Sequence, residues 1–257
     1  YVGPRRVRAA GVALQDLPPI DVVLLSHNHY DHLDLATLKW LERRDHPHIV
    51  TGLGNAALLH ANGIRHVSEL DWWHHITHGD MKIHFVPAQH FSGRGLFDKN
   101  QTLWASWAIK TENHNLYFSG DSGYFPGFAE IGRRLGPFDL TLIETGAYDD
   151  MWSGIHMQPE QSLRAHLDLR GKVLIPVHNS SFDLAMHPWY EPLMRLSAAA
   201  AAYQVPLLTP MFGQPVLLSD AADTNQAVTQ KWWQLLLPKA ANVSDEIMVP
   251  QPLQLAD

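Results

Sequence analysis

The stretch "LLSHNHYDHLD", residues 24–34, puts three histidines and two aspartates into eleven positions, behind an apolar run and ahead of an amphipathic one. Imidazole and carboxylate are a ligand set that zinc takes in four- or five-coordinate sites, and a catalytic site keeps one position for water. The spacing suits that chemistry. In extended chain, residues two apart point the same way, so His27 and His29 can reach one ion, while Asp31 and His32, at the turn into the next element, can address a second. Further ligand-type side chains follow other apolar runs: His90 after "MKIHFVPAQ", Asp121 after "NLYFSG" and His178 after "KVLIPV". Strand C-terminal ends are where α/β folds gather their sites. Asp121, flanked by Gly120 and Gly123 that let the backbone approach closely, is the candidate bridge between two ions. A single strand-end histidine is more often structural. Three imidazoles and a carboxylate beside a buried strand, however, carry a desolvation cost that a metal removes.

Composition points the same way. The 257 residues include 17 histidines and no cysteine, which excludes disulfides, thiolate metal sites and a Cys nucleophile, leaving imidazole and carboxylate as metal ligands. A hydrophobic content of 46% is ample for a buried core. Lys and Arg total 19 against 26 Asp and Glu, a formal charge of −7, so no nucleic-acid partner is expected. No run approaches the roughly 18 apolar residues of a membrane span, and "YVGPRRVRAAG" lacks the apolar core of a signal peptide. The expectation is a cytoplasmic protein, with "KWWQLLL" (231–237) the segment suited to a peripheral membrane contact.

These residues need an α/β frame, and the patterning supplies one. "IDVVLL" (20–25) reads as a strand covered on both faces, and Asp31 or Asp34 can cap the helix that follows, with Leu35, Leu38, Trp40 and Leu41 as its apolar stripe. "PHIVTG" reads as a strand, "NAALLHANG" as a helix ended by Gly63, and "RHVSEL" as a strand. From residue 81 strands dominate: "MKIHFVPA", then "LWASWAIKT" and "HNLYFSG" as a hairpin. "GFAEIGRRLG" and "QPEQSLRAHLDLRG", the latter with Pro159 in its first turn, read as helices, as does 188–203; "FDLTLIET" and "KVLIPVHN" read as buried strands. "DWWHHITHGD" reads as a turn, making His74, His75 and His78 surface residues. With no repeat and no low-complexity linker, a single domain over 1–218 is expected, and 219–257 reads as a C-terminal appendage, docked or partly extended.

At its ligand cluster the sequence resembles the metallo-β-lactamase superfamily, whose signature His-x-His-x-Asp-His stands here as His27, His29, Asp31 and His32. It is more specifically similar to the N-acyl-phosphatidylethanolamine-hydrolysing phospholipase D family and its bacterial relatives. "SHNHYDHLD", "PAQHFSGRGLFDKNQTLWASW", "YFSGDSGYFPGFAEIGRRLGPFDL", "GAYDDMW" and "HMQPEQS", over about residues 3 to 192, carry that likeness. The resemblance implies an αββα sandwich, two mixed sheets with helices outside, and two Zn2+ per chain, other divalent ions being alternatives. It assigns His27, His29 and His90 to one ion, Asp31, His32 and His178 to the other, and Asp121 to both. Family members begin with additional strands ahead of the Gly-Pro-Arg-Arg that is here Gly3 to Arg6, so strands preceding residue 1 are expected. The implied function is a zinc-dependent hydrolase using a metal-bridging hydroxide, a phosphodiesterase on N-acyl-phosphatidylethanolamine-like or related phosphodiesters. Asp31 would orient that hydroxide. The alternatives are a binuclear lactonase or other carbonyl hydrolase, and a non-catalytic metal-binding protein.

Other residues are candidates for substrate work. His156 in "GIHMQPE" precedes a helix N-terminus that favours anions, and the family match suggests a catalytic or phosphate-contacting role; a capping surface histidine is the plainer reading. Arg94 is a candidate phosphate contact, equally able to pin its loop together with Asp98. Tyr148 and Trp152 are candidate walls of a lipid or other apolar pocket. Trp104 and Trp107 read as packing residues of an alternating strand, and His187 matches a family position without a deducible role.

Overall fold

The computed structural model describes residues 6–218 and 231–237. Among these residues nine strands form two sheets. Strands β1 (Val22–Leu24), β2 (His48–Gly52) and β3 (Val67–Leu70) make a parallel sheet in that order. The second holds β4 (His75–His78), β5 (Met81–Val86), β6 (Ser106–Lys110), β7 (Asn115–Phe118), β8 (Phe138–Glu144) and β9 (Gly171–Val177), paired antiparallel from β4 to β7 and parallel from β7 to β9. Helices α1 (Leu35–Arg44), α2 (Ala56–Ala61), α3 (Gly127–Leu135), α4 (Pro159–Asp168) and α5 (Glu191–Ala202) complete the frame.

The layering follows from side-chain alternation, because successive residues of a strand face opposite sides. Ile49 of β2 packs with Leu38, Leu59 and Ile64 on the helix side, while its neighbour Val50 packs with Phe85 and Trp107 between the sheets. In the larger sheet Val86 and Ala108 turn the other way and join Phe128, Ile131, Leu163 and Leu196 under α3, α4 and α5. The result is helices, sheet, sheet, helices. The inner face of β7 to β9 that the three-stranded sheet leaves uncovered, with Leu140, Val173 and Ile175, is closed by Leu208, Val216 and Leu218. Of the expected appendage 219–257, the described residues are 231–237, where Trp232 and Trp233 are buried against Leu193, Trp189 and Met194. Among the described residues no helix is long and apolar enough to cross a membrane.

Local chemistry fixes the elements. Asp34, not Asp31, caps α1, accepting from Ala36 N and Thr37 N at 3.3 and 3.0 Å, which leaves Asp31 for other work. A capping box between Gln158 and Gln161, with Pro159 in the first turn, starts α4. One expectation is corrected: "DWWHHITHGD" is not a turn but contains β4, which pairs with β5 through Ile76↔Ile83. Only Ile76 of its four residues joins the core, so neither an apolar run nor a long alternation marks the strand. Trp104 precedes β6 and donates from Nε1 to Ala88 O at 2.9 Å, whereas Trp107 is buried in the strand.

Candidate metal centre

The strands β1, β5, β7, β8 and β9 all release their loops at one edge of the sandwich, and the candidate ligands converge there. Leu25 and Ser26 continue β1, Leu25 N donating to Val50 O and Ser26 O accepting from Ala105 N at 2.9 Å each, which carries His27 into the gap between the sheets. Gly120 holds φ +58, and a Cβ there would lie 2.6 Å from Ser26 Cβ. At Gly123 it would lie 2.1 Å from Gly154 O. The two glycines around Asp121 are therefore required by close backbone approach. His178 itself adopts a left-handed φ of 59°, a conformation that persists in non-glycine residues where surrounding structure enforces it, as at active sites.

Two donor sets result. His27 Nε2 lies 2.9 Å from His29 Nδ1, and His90 Nε2 lies 3.3 Å from the same atom. In the second set His32 Nε2 is 3.5 Å from Asp31 Oδ2 and 3.0 Å from Asp121 Oδ1; His178 Nε2 is 3.4 Å from both. Four ligands at metal–nitrogen distances of about 2.0–2.1 Å on a tetrahedron stand about 3.3 Å apart. Four of these six separations, at 3.3–3.5 Å, match ligand edges around a central ion better than the roughly 2.7–3.2 Å of a hydrogen bond. His32 Nε2 and Asp121 Oδ1 face each other at 3.0 Å, and both are buried atoms without a well-formed hydrogen bond. Asp121 divides its oxygens: Oδ1 faces His32 and His178, and Oδ2 is 3.8 Å from both His27 Nε2 and His90 Nε2. Residues His27, His29 and His90 form one group able to hold an ion, and Asp31, His32, Asp121 and His178 another.

Electrostatics separates the two sets. Burial, reinforced by the neighbouring imidazoles, drives His27 well below the ordinary histidine range, and burial takes His90 to about 3 although Asp121 opposes it. These two rings are neutral bases, the form in which imidazole binds metal. For His32 and His178 burial also favours the neutral ring, but the carboxylates outweigh it, chiefly Asp121 and also Asp31, and raise them to about 10 and about 9. Asp31 and Asp121 are correspondingly held well below the usual carboxylate range by His178 and His32, against burial that alone would raise them.

His156, 13% exposed, sits against this centre, its ring 5.2 Å from that of His90 and stacked at 5.7 Å on that of His178. Its Nδ1 hydrogen-bonds Glu144 Oε1, and Glu144 Oε2 accepts from Ser122 N at 2.5 Å. Burial pushes the Glu144 carboxyl up, while His156 is raised because Glu144 outweighs the effect of its own burial. The sequence carries no more signal for Glu144 than an acid at the end of a strand that already holds Asp139.

The three expected substrate contacts are placed elsewhere. A cavity of about 150 Å³ opens beside Asp31, His32 and His178 and is walled by Asn179, Ser181, Phe182 and Leu184. Arg94, Tyr148 and Trp152 do not line it. Arg94 Nη1 donates to Asn28 O and Leu33 O at 2.8 Å each, and its guanidinium lies 3.9 Å over the Tyr30 ring. Asp98 accepts from Arg94 N and Gly95 N, so both residues serve the loop and the candidate ligand segment 28–33. Tyr148 donates to Glu191 and stacks on His187; Trp152 Nε1 donates to Ala147 O.

Residues 2–179 match the family described as "Beta-lactamase superfamily domain". An uncharacterised protein of Mycobacterium tuberculosis is 44% identical over 239 residues, 91% of this chain and 63% of that one. N-acyl-phosphatidylethanolamine-hydrolysing phospholipase D 1 of Caenorhabditis elegans is 35% identical over 223 residues, 76% of this chain and 59% of that one. The chain therefore spans under two thirds of the length of these curated relatives. Among solved structures, a metallo hydrolase of the archaeon Ignicoccus hospitalis shares the fold with a TM-score of 0.61 at 22% identity, over 76% of this chain and 78% of that one. A sandwich of this topology, matched across residues 2–179, makes the chain a member of the metallo-β-lactamase superfamily.

Proposed function

We propose that the chain is a binuclear zinc hydrolase of phosphodiesters, with N-acyl-phosphatidylethanolamine-like phospholipids as the substrate class. The observation that carries the reading is the division of Asp121 between two donor sets, Oδ1 toward His32 and His178 and Oδ2 toward His27 and His90. His27, His29 and His90 would hold one ion, Asp31, His32 and His178 the other, and Asp121 both. Bound there, the ions supply Lewis acidity and a water acidic enough to be deprotonated near neutral pH.

The protein's own residues do the rest. Asp31, with 37% of its side chain exposed, lines the cavity, and the carboxylate oxygen not facing His32 and His178 would accept a hydrogen bond from water there and orient it. His156 places its Nε2 at the same edge, and in the imidazolium form that Glu144 favours it can donate from that nitrogen; it replaces Arg94 as the group suited to a phosphoryl oxygen, since Arg94 is committed to backbone carbonyls. A 35% identical relative named for N-acyl-phosphatidylethanolamine hydrolysis supports the substrate class. Leu96, Phe97 and Met186 are more than 80% exposed on loops leaving the same edge, an apolar rim suited to peripheral contact with a lipid surface.

The test is hydrolysis of bis(p-nitrophenyl) phosphate by zinc-loaded protein, beside a chelated sample and Asp121→Asn. Nitrophenolate release that chelation and the substitution each abolish is the expected outcome, with two ions per chain in the loaded protein. Turnover that survives either treatment overturns the reading. Opening of a lactone by protein inert toward the phosphodiester transfers it to carbonyl substrates.

A further inference from the structure

Glu144 ends β8 with its side chain fully buried, and among the described residues its hydrogen-bond partners include His156 and Ser122 but no Lys or Arg. Its backbone is fixed on both sides: its N–H donates to Ser119 Oγ at 2.9 Å, and its carbonyl accepts from Ser162 Oγ at 2.6 Å. A carboxyl held that rigidly in a dry site is unfavourable unless its oxygens are satisfied. One oxygen meets His156 Nδ1 and the other the N–H of Ser122, the residue after Asp121. A single side chain thereby ties the imidazole on one side of the centre to the peptide beside the bridging carboxylate on the other.

We infer that Glu144 is a positioning residue for His156: it accepts the Nδ1–H, so that Nε2 is the nitrogen left to the reaction edge, and it clamps the peptide next to Asp121. The inference rests on the hydrolase reading for its kinetic consequence, but the tautomer it assigns is a property of the chain alone. The ring nitrogen a histidine presents is set by what its other nitrogen bonds. The stacking on His178 restricts the plane of His156, and Glu144 settles which edge faces where.

The test uses zinc-loaded protein labelled with 15N-histidine. A downfield proton coupled to an imidazole nitrogen, absent in His156→Gln, is expected in the wild type. Glu144→Gln keeps an oxygen for Ser122 N–H but turns an amide donor toward Nδ1, reversing donor and acceptor. That variant should lose the resonance, keep two ions per chain and lose about 10- to 100-fold in kcat on bis(p-nitrophenyl) phosphate with KM little changed. Glu144→Asp, which restores an acceptor at reduced reach, should recover part of both signals, and it carries the comparison if the glutamine variant does not fold. A wild type without the coupled proton, a glutamine variant with unchanged resonance or kcat, or a kcat loss that only tracks lost metal each overturns the inference. A wild type inert toward phosphodiesters refutes the functional reading while the resonance still decides the role of Glu144.

Discussion

Replacing Gly120 by alanine separates backbone strain from crowding at the metal centre, because a second glycine supplies the control. Gly120 and Gly79 both hold φ +58, but a Cβ on Gly79 meets nothing within 4 Å. On Gly120 it would lie 2.6 Å from Ser26 Cβ, 3.0 Å from Ala105 O and 3.1 Å from Ser26 Oγ. A left-handed conformation costs a non-glycine residue about 1–2 kcal/mol, and that is the whole expectation for Gly79→Ala. Forcing a methyl into packed surroundings adds about 1–3 kcal/mol, so Gly120→Ala should lose about 2–5 kcal/mol. For a chain of this size each kcal/mol corresponds to roughly 2–4 °C in Tm. Calorimetry should therefore show a drop of roughly 4–20 °C for Gly120→Ala against roughly 2–8 °C for Gly79→Ala. The crowded neighbour is itself part of the site, since Ser26 Oγ is 3.0 Å from His27 Nδ1 and its carbonyl accepts from Ala105 N. Displacing it moves His27, so metal content should fall below two ions per chain in Gly120→Ala alone. Equal melting shifts in the two variants, or full metal content in Gly120→Ala, would refute the argument that close backbone approach builds this centre.

Two further outcomes follow from single contacts. Arg94→Gln removes guanidinium donors from Asn28 O and Leu33 O and should destabilise the protein by about 1–3 kcal/mol without changing KM for a phosphodiester; a selective rise in KM would return Arg94 to substrate binding. His166, which bonds Thr141 Oγ1 at 2.7 Å, is lowered by burial to about 4 from 6.5. The folded chain thus refuses a proton that the unfolded chain accepts below pH 6.5. At 1.36 kcal/mol per pKa unit, about 3 kcal/mol of stability is lost as pH falls from 6.5 to 4, with no effect above that window. Unfolding curves of wild type and His166→Gln should converge toward pH 4 from their separation at pH 7; parallel curves across that range would exclude His166 as a source of acid lability.

The parts of this molecule that were legible in its sequence are those whose identity is forced by local pattern. An imidazole pair two residues apart at a strand end, and an aspartate between two glycines, can be read because strand alternation and close approach are local rules, and His27, His29 and Asp121 converge accordingly. The choice between Asp31 and Asp34 as helix cap turns on where α1 begins, at Leu35, which makes Asp34 its N-cap. Both can cap a helix by type, but only Asp34 directly precedes α1, where Thr37 offers it both its N–H and its hydroxyl. Strand β4 was hidden by its brevity and polar outer face, since its pairing with β5 lies in the partner rather than in its own residues. Arg94 shows the deeper limit. A cation near a metal site has the chemistry to bind phosphate, but whether it is available depends on which acceptors the fold has already given it, here two carbonyls of the segment 28–33. Glu144 is the converse, an unremarked strand-end acid made important by a histidine twelve positions on and a peptide twenty-two positions back. Ligand sets can be read from residue types because a metal selects atoms by chemistry, whereas substrate contacts are the polar atoms left over once folding is satisfied. That remainder is a property of the packed chain, and it explains why the ligand-type residues expected from the sequence meet at one edge while the three expected substrate contacts are engaged elsewhere.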